Sequence, residues 1–222
     1  ENAISFSSFE LISIPDSVVH IAAHAFYNCS IEEIVIPNSV DQVDGNPFVF
    51  CNNLNHITIS DNHPYLEIKD GYLLSKPDTR ILCCLFQNET EVTIPDYALV
   101  VGGYAFSNSS NLQSIILPDG LLQIESYGFA SCNQLRELIL PDTTTEIGDF
   151  IFRACKNLEA VTLPENLIKI GQNPFVGCPN LKSIYVSATN RMISIVDDVL
   201  FSDNSETLIF YPSWKEEKNY SI

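Results

Sequence analysis

LQSIILPDGLLQIESYGFASCNQ, residues 112–134, is followed at once by LRELILPDTTTEIGDFIFRACKN, residues 135–157, in an unshifted frame. Leu112 is answered by Leu135, Pro118 by Pro141, Phe129 by Phe152 and Cys132 by Cys155. The step of 23 extends in both directions: leucines recur at 112, 135, 158 and 181, prolines at 118, 141 and 164, and phenylalanines at 106, 129, 152 and 175. Nearer the N-terminus Pro15 and Pro37, Phe26 and Phe48, and Cys29 and Cys51 keep the frame with a step of 22. A fixed period of this length signals a repeat architecture and takes precedence over any single motif.

Within one unit Leu112, Ile115 and Leu117 are apolar, the last two alternating as in a short strand. Pro118 ends it, having no amide hydrogen for a ladder. The Pro-Asp pair suits a turn with proline at the first corner. Leu122 and Ile124 give a second, shorter alternation, and Phe129 and Cys132, three residues apart, suggest one helical turn. No such unit buries its apolar face alone, so stacking must supply the partner.

A longer period overlies this one. Residues 54–85 and 181–212 align at a constant offset of 127, with Leu54, Ile57, Ile68, Asp70 and Ser75 answered by Leu181, Ile184, Ile195, Asp197 and Ser202. Here the Pro-Asp turn and the Phe-x-x-Cys segment give way to stretches that read as hairpins, followed by Ile81–Cys84 and Leu208–Tyr211. The expected architecture is one right-handed solenoid over residues 1–222, with a parallel β-sheet and about nine coils, on the order of 40 Å long at roughly 4.8 Å per coil. Elongated, hairpin-bearing coils fall near 54–91 and 181–218. Phe6, at a cysteine position, and Tyr220–Ile222, like Val92–Ile94, suggest that both ends are cut within a coil.

Composition narrows the partners. The formal net charge is −17 over 222 residues, which disfavours nucleic acid and anionic membrane surfaces. No apolar run is long enough to span a bilayer. The chain begins at Glu1 with no signal-peptide core, as an excised or processed fragment would. Seven cysteines are too few for a disulfide scaffold and cannot all pair, and no Cys-x-x-Cys zinc pair is present.

The units resemble the BspA-like leucine-rich repeat, whose pattern is close to L-x-x-I-x-I-P-x-x-V-x-x-I-G-x-x-A-F-x-x-C-x-x-L. LEAVTLPENLIKIGQNPFVGCPN, residues 158–180, follows it nearly throughout, and so do residues 9–30 with Ala25, Phe26 and Cys29 in place. Departures are Ser60 and Ser187 at the proline position and the two long coils. The resemblance implies a secreted or surface-attached protein of host-associated bacteria or parasitic protists, with some members binding host matrix proteins. The function it implies is non-catalytic: an extracellular protein-binding module or adhesin. A passive spacer presenting another domain is the alternative, and a hydrolase or metal-dependent enzyme ranks below both. No cofactor is implied.

Two rows are candidate sites. Val35, Thr58, Ile116, Ile139, Thr162 and Tyr185 share the outward register of the main strand, with Glu137 beside them, and a parallel sheet displaying them offers a protein ligand a regular surface. The plainer reading is that β-branched residues suit any strand. Asp96, Asp119, Asp142 and Glu165 each follow a turn proline and stack as an acid column. Turn chemistry accounts for them; the sharper reading is an edge for cations or a basic ligand. The stacked cysteines read as reduced core residues. His20 and His24 have the four-residue spacing of helical metal ligands but straddle a strand end and do not recur in other coils. No nucleophile elbow, HExxH, Walker or GxGxxG motif appears, so neither catalytic nor metal-binding residues are assigned.

Overall fold

The structure, a computed structural model, describes residues 10–85, 88–202 and 206–215. Its main strands are Leu11–Ser13, Glu33–Val35, His56–Thr58, Glu91–Thr93, Ser114–Ile116, Glu137–Ile139, Ala160–Thr162 and Ser183–Tyr185, and they number coils 1–8. A ninth coil, inferred in part from Tyr220–Ile222, falls outside the described residues, as does Phe6. In each strand the middle residue points inward. Ile34, Leu138 and Val161 are at most 2% exposed, while their neighbours face out.

Pairing between coils is parallel and in repeat register: Ile34 opposes Ile57, Leu138 opposes Val161, and Val161 opposes Ile184. The main sheet is nonetheless not continuous. It forms three ladders, of coils 1–3, coils 4–5 and coils 6–8. The second strands of coils 4–7, Val100–Val101, Gln123–Ile124, Glu146–Ile147 and Lys169–Ile170, run unbroken into the first long coil as one seven-stranded sheet.

The turn after each main strand differs from expectation. Leu121 N–H donates to Pro118 O, Ala98 to Pro95 and Leu167 to Pro164, so proline opens the turn and the acid takes its first corner. Side chains of the following coil cover these turns: Thr144 Oγ1 donates to Leu121 O at 2.9 Å, and Asn166 Nδ2 to Asp142 O at 3.0 Å.

The Phe-x-x-Cys segment is not helical, and no helix occurs among the described residues. Alternate amides close successive turns and bond to the next coil. Gly128, Ala130 and Cys132 donate to Glu125, Tyr127 and Phe129, whereas Tyr127, Phe129 and Ser131 donate to Asp149, Ile151 and Arg153. Tyr127 and Ser131 take positive φ, 61° and 60°, the conformation required at the third position of a type II turn. The faces are as expected, since Phe129 and Cys132 are fully buried. A spacing of three meets that demand in a helix or in consecutive turns, and the extra hydrogen bonds between coils favour the turns. Coils come close here: a Cβ on Gly148 would lie 2.3 Å from Ser126 N.

Both long coils carry antiparallel meanders, Leu66–Lys69, Tyr72–Ser75 and Arg80–Cys84, then Ile193–Val196, Val199–Ser202 and Thr207–Phe210. In the first, Tyr72–Ser75 and Arg80–Cys84 are buried on both faces. Tyr72, Leu74, Ile81 and Cys84 join the C-terminal core, while Leu66, Leu73, Leu82 and Cys83 join the N-terminal one. An unbroken apolar run is what such two-sided burial requires. Coil 3 has no Phe-x-x-Cys segment, so coils 2 and 4 meet at that corner: Asn46 N–H donates to Gly103 O at 2.9 Å, and Asn46 Nδ2 to Tyr104 O at 3.1 Å. On the opposite side the meander keeps His56–Thr58 and Glu91–Thr93 unpaired with each other. Coil 3 is therefore a wedge, thick at the main sheet and absent at the third corner.

Candidate binding surface

The outward row divides along the breaks in the sheet. Val35 and Thr58 lie on the first ladder, Ile116 on the second, and Ile139, Thr162 and Tyr185 on the third. Ile116, Ile139 and Tyr185 are 62%, 69% and 56% exposed, too much for side chains with an intramolecular packing role. Val35, Thr58 and Thr162 are half-buried, and Thr58 Oγ1 donates to Glu33 Oε1 at 3.2 Å. Glu137 is exposed beside Ile139. One register further out, Glu159 receives Arg136 from one neighbouring coil and Lys182 from the other, both at 3.2 Å. These charges sit in water, so they define a polar border to the apolar row more than they stabilise it.

The acid column forms along the turn edge of coils 4–7, with Asp96, Asp119, Asp142 and Glu165 all exposed. Its chemistry is directed between coils. Asp142 Oδ1 accepts the amide of Glu165 at 2.9 Å, and Glu165 Oε1 accepts Thr189 Oγ1 at 2.5 Å. No group of three or more potential metal ligands occurs among the described residues. His20 and His24 have separate partners: His20 Nε2 lies 2.8 Å from Asp44, while the His24 ring packs edge-on against Tyr104 with centroids 4.3 Å apart. Burial lowers the pKa of His24.

Sequence reasoning missed two further rows. Val19, Leu99, Leu122 and Ile168 are 55%, 37%, 45% and 59% exposed and form a second apolar row, on the far side of the acid column from Ile116. Tyr104, Tyr127 and Phe150 stack at 4.5 and 5.1 Å, all at positive φ. An aromatic there is costly, because positive φ suits glycine or asparagine; Asn173 fills that position in the next coil. Stacking offsets the cost by about 0.5–1.5 kcal/mol per pair. Tyr104, Tyr127 and Phe150 keep the 23-residue step, and so do Leu99, Leu122 and Ile168 with Thr145 between the last two, so both rows were legible in that step; Val19 takes the same place after its turn proline in coil 1.

Parallel strands, one per coil, around stacked columns of leucine, phenylalanine and cysteine define a leucine-rich-repeat solenoid. Residues 1–71 and 82–207 match the BspA type Leucine rich repeat region in six copies, and the chain belongs to that family. No curated protein matches the chain. Among solved structures, a leucine-rich repeat protein from Eubacterium ventriosum is 23% identical, with TM-score 0.67 over 96% of this chain and 68% of its own. The pneumococcal vaccine antigen PcpA is also 23% identical, with TM-score 0.69 over 84% of this chain and 53% of its own. A leucine rich cell surface protein from Faecalibacterium prausnitzii is 24% identical, with TM-score 0.60 over 78% and 52%. The chain thus spans about half the length of the last two, and at these identities the likeness speaks to fold.

Proposed function

We propose that the chain is a non-catalytic protein-binding module of a cell-surface or secreted protein, engaging a host extracellular-matrix protein through the outward face of its main sheet. The supporting observation is the exposed row of Ile116, Ile139 and Tyr185. Large apolar side chains repeated at one register of the main strands, here across two neighbouring ladders, favour an interface, and central apolar anchors within a polar border are where binding energy concentrates. The surface assignment draws on the family and on two structural neighbours, one described as a cell surface protein and one as a vaccine antigen. The acid column adds a negative field that favours a basic partner, and the carboxylates of Asp142 and Glu165 also act as acceptors between coils.

The test is saturable binding of the chain to immobilised fibronectin, laminin and collagen, with and without calcium. Ile116, Ile139 and Tyr185 changed together to Ser should leave the melting temperature nearly unchanged, because none packs in the core. Affinity should fall at least tenfold, and calcium should not alter it. Equal binding by the parent and the triple variant would remove this face as the site.

A further inference from the structure

The first long coil sets two open strand edges across a groove from each other. His56–Thr58 ends the ladder of coils 1–3, and Leu66–Lys69 ends the seven-stranded sheet. Among the described residues neither strand is paired on the side facing the groove. The groove, about 360 Å³, is lined by Ile59, Leu66 and Ile68, which pack on the N-terminal core, and by exposed Asp61, Glu67 and Lys76. Lys76 is already engaged, its Nζ donating to His63 O at 2.6 Å, so the carboxylates dominate the rim.

The ladder fixes which backbone groups face the groove. His56 N–H donates to Glu32 O, and Thr58 O accepts Ile36 N–H, so residues 56 and 58 are turned towards coil 2. Alternate residues of a parallel strand bond to opposite sides, which leaves Ile57 N–H and C=O and Ile59 N–H on the groove side. In regular coils the position of Ile59 is bonded across: Ile94 N–H donates to Ile116 O at 2.9 Å, and Leu140 N–H to Thr162 O at 3.1 Å. In coil 8, among the described residues, Ser183–Tyr185 likewise stands last in its ladder and Ile193–Val196 last in the three-stranded sheet of the second meander.

We propose that the groove of coil 3 accepts an extended segment of a partner polypeptide as an added strand. Its backbone pairs with Ile57 and Ile59, alternate apolar side chains rest on Ile59 and Ile68, and lysine or arginine side chains meet Asp61 and Glu67. In strand addition main-chain hydrogen bonds supply affinity and alternate side chains supply selectivity. This site meets the outward row at Thr58 and uses none of its apolar anchors, Ile116, Ile139 and Tyr185.

The experiment uses a capped synthetic peptide of three lysine–valine pairs and two derivatives of it, isomeric with each other, N-methylated at the lysines or at the valines. Binding is followed by calorimetry and by amide exchange of the protein. The parent peptide should bind saturably and slow exchange at Ile57 and Ile59, and at least one methylated isomer should bind tenfold or more weakly. Equal binding by all three would reduce the effect to charge. Protection elsewhere, or no saturable binding at millimolar peptide, would overturn the proposal as well.

Discussion

Four cysteines of the stacked columns face a carbonyl of the preceding coil. Cys51 Sγ donates to Phe26 O at 2.8 Å, Cys132 to Phe106 O at 3.2 Å, Cys155 to Phe129 O at 3.1 Å and Cys178 to Phe152 O at 3.0 Å. All seven cysteines are buried, and none is joined in a disulfide among the described residues. Burial pushes Cys51 up to about 11 and holds Cys83 well above the usual thiol range. Cys155 and Cys178 are raised first by the neighbouring thiols of Cys132 and Cys155 and then by burial. Thiolate is the reactive form, so the native protein at pH 8 should not react with a disulfide reagent over an hour, whereas denatured protein should release seven equivalents. Fast reaction of even one native thiol would contradict this packing. That the cysteines are core residues was legible from their register beside each phenylalanine. Their donor role was not, because the accepting carbonyl lies 26 residues earlier in the chain and only the stacking brings it near.

At the scale of the element, the long coils each hold their bend with one polar side chain, and the 127-residue offset pairs these residues. His63 Nδ1 accepts Tyr65 and Leu66 N–H at 3.3 and 3.1 Å, and its Nε2 donates to Pro37 O at 3.0 Å. Asn190 Oδ1 accepts Met192 and Ile193 N–H, both at 2.8 Å, and its Nδ2 donates to Pro164 and Leu167 O. The imidazole must therefore be neutral, since a proton on Nδ1 would face two amide donors. Burial, the largest cause, lowers the pKa of His63 from 6.5, with Lys76 adding to it and the Pro37 carbonyl opposing. A depressed histidine stabilises the fold in its neutral form. Its contribution is complete above about 6.5, the unfolded value, and is lost as pH falls from there through the folded value. His63→Asn should keep stability at pH 7.5 and remove the histidine-linked part of the loss between pH 6.5 and 5, measured by denaturant unfolding. His63→Leu should cost about 1–3 kcal/mol for each polar group it orphans. An unchanged acid slope in His63→Asn would show that the loss arises elsewhere. The hairpins themselves were legible from paired short apolar runs such as Tyr72–Leu74 and Ile81–Cys84, and so was the offset. The pairing of Arg80–Cys84 with Val100–Val101 was not, since periodicity records which face is buried and not which neighbour lies alongside. The helical reading of Phe-x-x-Cys failed for the same reason.

At the scale of the molecule, period and offset made the solenoid and its two long coils readable in advance, while the broken sheet and the wedge depend on contacts that skip a whole coil. Coils 4–7 bond chiefly to their immediate neighbours through equivalent atoms one period apart, so stability there approximates a sum over coils and interfaces. Removing residues 135–157 joins Gln134 to Leu158 in frame. The shortened protein should fold with its β-sheet circular dichroism intact and unfold cooperatively at a moderately lower temperature. Loss of cooperative unfolding would mean that coil 6 has a role beyond its two interfaces. Coil 3 is different, because Asn46 and Asn52 of coil 2 reach past it to Gly103, Tyr104 and Asn108 of coil 4. An extra unit on either side of coil 3 would prise that clasp open. At the level of the gene, recombination can add or delete 23 codons between the long coils and leave every surviving bond in place, whereas the same event beside coil 3 destroys the joint. A lineage carrying this design can edit the length of the arm while its elbow stays fixed.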